Sequence, residues 1–64
     1  MYNFSFLKSL GGVAGKLGEL IEDFEQNNDV RSDAFNAVQL DRLVAAKDLV
    51  VKTRDAFIEA SVDD

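Results

Sequence analysis

Apolar residues keep a seven-residue beat through the first half of this chain. Phe6, Leu10, Val13, Leu17, Leu20 and Phe24 fall at alternating steps of four and three, and Leu7, Ala14 and Ile21 widen the seam. This is the pattern of an amphipathic helix that must lie against other helices. Its apolar positions span an arc of roughly 140° at 100° per residue. The expected fold class is therefore all-α.

The pattern predicts a first helix over 5–26, capped by Asn3 or Ser5. The break falls at Glu25-Gln26-Asn27-Asn28-Asp29, where two asparagines tolerate the left-handed backbone that ends many helices. Asp29, or Ser32 with Asp33, then caps a second helix expected over 32–60, which the absence of proline leaves free of kinks. Residues 1–4 read as a flexible arm and residues 61–64 as a frayed acidic tail of a single small domain over 1–64. A short link between two helices makes them an antiparallel hairpin.

Folding the chain about Asn28 sets Phe24 near Phe35, Ile21 near Val38, Leu17 near Leu43 and Leu10 near Val50. The expected helix–helix core is thus Phe6, Leu10, Val13, Leu17, Leu20 and Phe24 against Leu43, Val50 and Phe57. On this register Phe57 and Ile58 lie beyond Phe6, where only the Tyr2–Phe4 arm or another subunit reaches them.

The second helix carries two apolar rows. Leu43, Val50 and Phe57 form one, and Val44, Val51 and Ile58 form the other, with Leu40, Lys47 and Arg54 running between them. One facing helix contacts a single stripe, so part of this surface is left wet. Each Val, Ile or Phe so exposed forfeits about 1.5–3 kcal/mol. Leu40, Val44, Lys47, Val51, Arg54 and Ile58 are therefore the candidate oligomer interface. Lys47 and Arg54 either lay their stems along apolar neighbours with their heads in water, or meet Glu19, Glu22 or Glu25 of another subunit.

Gly11, Gly15 and Gly18 form a row beside the apolar stripe. A helical glycine costs about 1 kcal/mol relative to alanine, so a row of them suggests close approach of a second helix, with Ala45 and Ala46 as the expected neighbours. The other reading is a floppy first helix that folds on a membrane or a partner.

Size reinforces the need for a partner. A chain of 64 residues buries only about 60% of the surface its unfolded form exposes. Chains this small usually add a disulfide, a metal, a membrane or another subunit. Without cysteine or histidine, the first is excluded and the commonest metal ligand and general base are missing. Glu19, Glu22, Asp23 and Glu25 form an acidic patch that lacks the residue order of a calcium loop, so no metal is expected. The serines and Thr53 have no histidine to activate them, and GGVAGKLG lacks the spacing of a phosphate loop. No catalytic residue and no cofactor is expected. The net charge of −5, with acids and bases interspersed, argues against nucleic acid as a partner.

No apolar run approaches the ~20 residues of a membrane span, and no signal peptide is expected. The sequence thus points to a non-enzymatic helical interaction or structural protein, cytoplasmic or within a virus particle. It would serve as a small subunit of a homo-oligomeric bundle or larger assembly, such as a virion or phage component. Residues 4–21 also suit a peripheral membrane protein, since they join bulky apolar residues to two lysines. A third reading is a small acidic inhibitor or adaptor that docks on a basic partner through Glu19–Glu25.

Overall fold

The computed structural model describes residues 2–63, with side chains described through Ser61. Among these residues there are two helices and no strand: α1 (Phe4–Asn27) and α2 (Ala34–Asp63), packed against each other as an antiparallel hairpin. Their extents are 49 × 16 × 10 Å, so the molecule is one helix thick.

Of the two candidate caps, Asn3 is the one that serves α1. Its side chain accepts a hydrogen bond of 2.7 Å from the Phe6 amide, which would otherwise lack a partner. The C-terminal end differs from expectation. Among the described residues no non-glycine has a positive φ, and Asn28 is extended at φ −137° and ψ 145°. The two asparagines end the helix through their side chains instead. Asn27 Nδ2 donates to the Asp23 carbonyl at 2.8 Å, and Asn28 Nδ2 donates to the Phe24 carbonyl at 3.0 Å. Free carbonyls of the last turn are thereby satisfied without a left-handed residue.

Asp29 and Asp33 divide the work of the connection. Asp29 Oδ1 accepts from the amides of Arg31 at 3.0 Å and Ser32 at 3.1 Å, and its carboxylate also accepts from the Ser32 hydroxyl. The Ser32 hydroxyl, followed by the two amides, holds the Asp29 carboxyl below its usual value. Asp33 is the cap of α2, with its Oδ1 accepting from the Asn36 amide at 3.1 Å. Asn36 Nδ2 ties the helix back to the Asp29 carbonyl at 3.0 Å.

Because this link runs through Asp33, α2 starts later than expected and the register moves by about one turn. Phe35 is 72% exposed and Val38 is also exposed, so neither covers Phe24 or Ile21. At the far end the same shift brings Phe57 onto Phe6, ring centroids 5.1 Å apart and edge to face. Tyr2 completes the cluster 4.6 Å from Phe57, and its amide donates to Ser61 Oγ at 3.4 Å. The helix continues to Asp63 through positions expected to fray, and Tyr2 belongs to the packed structure rather than to a loose arm. Met1 of the expected arm and Asp64 of the expected tail lie outside the described residues.

Two outcomes follow for stability. Gly12 and Gly15 have open space where a Cβ would stand, and no glycine uses a positive φ. Gly12→Ala and Gly15→Ala are each expected to stabilise the protein by about 0.5–1 kcal/mol, read as a higher urea midpoint. Gly18→Ala is expected to gain less, because its Cβ would stand 3.3 Å from Lys47 Nζ.

The caps give the second outcome. Asp33→Ala should cost about 1 kcal/mol by loss of the α2 cap. Since the folded Asp29 carboxyl titrates below the unfolded one, its contribution is present above the usual carboxylate value and fades as pH falls through the lowered one. Urea midpoints followed downward from pH 6 should therefore fall less steeply for Asp29→Asn than for the natural chain.

Candidate functional site: the helix interface and the surfaces it leaves bare

The rotation of the helices decides which residues are hidden. Ala14, at 5% exposure, is the sole residue classed as buried among those described. Leu7, Leu10, Leu17, Ile21 and Phe24 are half-buried around it, as are Gly11 and Gly18. On α2 the half-buried line runs Leu40, Leu43, Lys47, Val50, Arg54 and Phe57. The contact therefore centres on Leu7, Ala14 and Ile21, the row expected only to widen the seam.

Three residues assigned to the core consequently lie at its edge. Phe6, Val13 and Leu20 are exposed, at 40%, 49% and 44%. Leu10, Leu17, Phe24, Leu43, Val50 and Phe57 are half-buried, as core positions of a two-helix structure should be. Of the candidate oligomer residues, Leu40, Lys47, Val51 and Arg54 are half-buried within the chain, whereas Val44 and Ile58 are exposed.

The glycine row explains how two cations fit there. A Cβ built on Gly18 would stand 3.7 Å from Lys47 Cε, and one on Gly11 would stand 3.9 Å from Arg54 Cδ. The ends of the Lys47 and Arg54 side chains thus lie against α1 at Gly18 and Gly11, with Lys47 Nζ 3.3 Å and Arg54 Nη1 3.8 Å from the same Cβ positions. Arg54 Nη2 then pairs with Asp55 at 3.1 Å. The close approach is of side chain to backbone, not of glycine to Ala45 and Ala46, which are exposed. Gly15, expected in the same row, faces open space. Sequence reasoning placed Lys47 and Arg54 between two apolar rows but missed their glycine seats. The signal was there: both pairs are seven residues apart.

The acidic patch does not converge. Glu19, Glu22, Asp23 and Glu25 are all exposed, and no three carboxylates among the described residues are grouped to hold a metal ion. Glu19 meets Lys16 at 3.5 Å and Asp23 accepts from Asn27 at 3.0 Å. Within α2, Lys52 Nζ lies 2.9 Å from Asp48, whose carboxylate raises the lysine pKa by hydrogen bonding and then by charge. These are solvated pairs that water screens and that add little to stability. No helix among the described residues is long and apolar enough to cross a membrane. No protein-family model matches the chain, and neither a curated protein nor a solved structure matches it.

Proposed function

We propose that this chain is a non-enzymatic helical assembly protein, a small subunit that completes its core by associating with further copies of itself. The observation that carries this reading is the single layer. A stable domain sandwiches its apolar faces between at least two layers of secondary structure, and here there is one, 10 Å thick.

The surface area gives the same answer in magnitude. A compact protein of 7.1 kDa exposes about 4,100 Å². This hairpin exposes 4850 Å². The difference is close to the ~800 Å² that each partner contributes to a stable protein interface. Association would supply the missing layer without adding a residue to the chain.

Mass in solution tests the reading. Light scattering from micromolar to millimolar concentration should give twice or more the 7.1 kDa of one chain, with helicity and mass falling together on dilution. A folded species that keeps the mass of one chain throughout would overturn it.

A further inference from the structure

The two broad sides of the hairpin differ in charge. With Ala14 facing α2, a rise of 100° per residue puts Phe6, Val13 and Leu20 to one side of the seam and Gly11, Gly15 and Gly18 to the other. Because α2 runs the opposite way, Leu43, Ala46, Val50 and Phe57 join the first side, and Val44 joins the second. Two contacts anchor this division. Phe6 meets Phe57 on the first side, and Arg54 comes out against Gly11 on the second.

The first side carries no carboxylate and a single cation at its outer edge. From Phe6 to Leu20 and Phe24 on α1 its stripe is apolar, and from Phe35 to Phe57 on α2 its polar members are Gln39, Thr53 and, at the edge, Arg42, whose Nη1 donates to Gln39 Oε1 at 3.5 Å. The second side is lined by charge. Lys8 and Arg54 border its groove with Phe4, Leu7, Gly11 and Ile58, and Asp48 and Asp55 flank it on α2. Interface centres are depleted of charge, so the first side has the composition of an interface and the second that of a solvated rim.

Resting on the self-association reading, we propose that the more apolar first side seats a second copy of this chain, turned end for end. Two hairpins would then close into a four-helix bundle about a two-fold axis that crosses them near their midpoint. The second copy is the fitting occupant for three reasons. Its own apolar side has the same 49 Å length, with no carboxylate and only Arg42, exposed at the edge, to keep in water. The area lacking matches one standard interface. A two-fold, self-complementary contact is also the commonest way for identical subunits to close.

Charge sets the orientation. Every charged residue from 19 to 41, at the loop end, is acidic except Arg31. The remainder of the chain is nearly balanced, with Lys8, Lys16, Lys47, Lys52 and two arginines facing its acids. Side-by-side loops would bring two acidic ends together, whereas end-for-end stacking parts them by the length of the bundle.

A distance between loops tests the orientation without touching the interface. The chain has no cysteine, so Arg31→Cys takes a single spin label on an exposed loop residue. Pulsed electron–electron resonance on the associated protein should give a separation near the 49 Å length of the hairpin. A separation of about 20 Å or less would overturn the end-for-end arrangement, since neighbouring helices lie 8–10 Å apart.

Charge insertion tests the side. Val13→Asp and Leu20→Asp should each weaken association by about 100-fold or more. Val44→Asp and Ile58→Asp, at comparable 48% and 41% exposure on the other side, should leave it within about threefold. The reverse ranking would overturn the proposed side while leaving self-association intact. A natural chain of single-copy mass would remove both. Should Val13→Asp lose its helical circular dichroism, Val13→Ser and the loop distance decide the matter.

Discussion

Lys47 and Arg54 lie across Gly11 and Gly18, and the orientation of both helices follows from that contact. The cations occupy the middle of the broad apolar face of α2, where a facing helix with ordinary side chains would trap their charge. Burying an unpaired ammonium or guanidinium in such a seam costs several kcal/mol. Two positions without a side chain leave room for the ends of both side chains, Lys47 Nζ and Cε against Gly18 and Arg54 Nη1 and Cδ against Gly11. To place its glycines over these ends, α1 must turn Ala14 and Ile21 toward α2. It thereby turns Phe6, Val13 and Leu20 away.

Everything else about the surface follows from this rotation. The six-residue stripe that announces α1 in the sequence is not centred on its partner within the chain. Leu10, Leu17 and Phe24 are half-buried, while Phe6, Val13 and Leu20 stay outside. On α2 the uncharged row Leu43–Val50–Phe57 lies at the same edge, so the bare positions of both helices adjoin. The displayed apolar positions are thus Phe6, Val13 and Leu20 of α1, whereas Leu43, Val50 and Phe57 are half-buried like the mixed row Leu40, Lys47 and Arg54. Exposed apolar residues in such a line suit the second layer proposed above.

Much of the architecture was legible in the sequence. Two helices, the antiparallel hairpin and the break at the asparagines follow from periodicity and turn chemistry, and Asn3 was one of two candidate caps. Register and rotation did not. The register depends on where α2 begins. Ser32 was a plausible cap, yet Asp29 claims its hydroxyl and amide, leaving Asp33 to cap the helix. The rotation was obscured because apolarity alone makes Phe6, Val13 and Leu20 better core residues than Gly11 and Gly18. Volume settles the competition: a seam that must hold two long cationic side chains has more use for an absent side chain than for a large one. Phe35, Val38 and Leu49 illustrate the limit of the periodicity argument, being apolar residues that face away from α1.

The same contacts make the hairpin a prepared surface rather than a loose pair of rods. Its loop end is tied by the Asp29 and Asp33 hydrogen bonds, and its open end by the Tyr2, Phe6 and Phe57 rings. Between them the glycine–cation contacts oppose a slip of one turn toward the N-terminus of α1, which would drive the stems into Leu7 and Ala14. Association of flexible chains loses about 0.5–1.5 kcal/mol for each side chain it must order. Here the backbone is already registered, so the partner copy proposed above would meet helices fixed in relative position. The glycines weaken α1 as an isolated helix, but through the packing they permit they help to fix the face it presents.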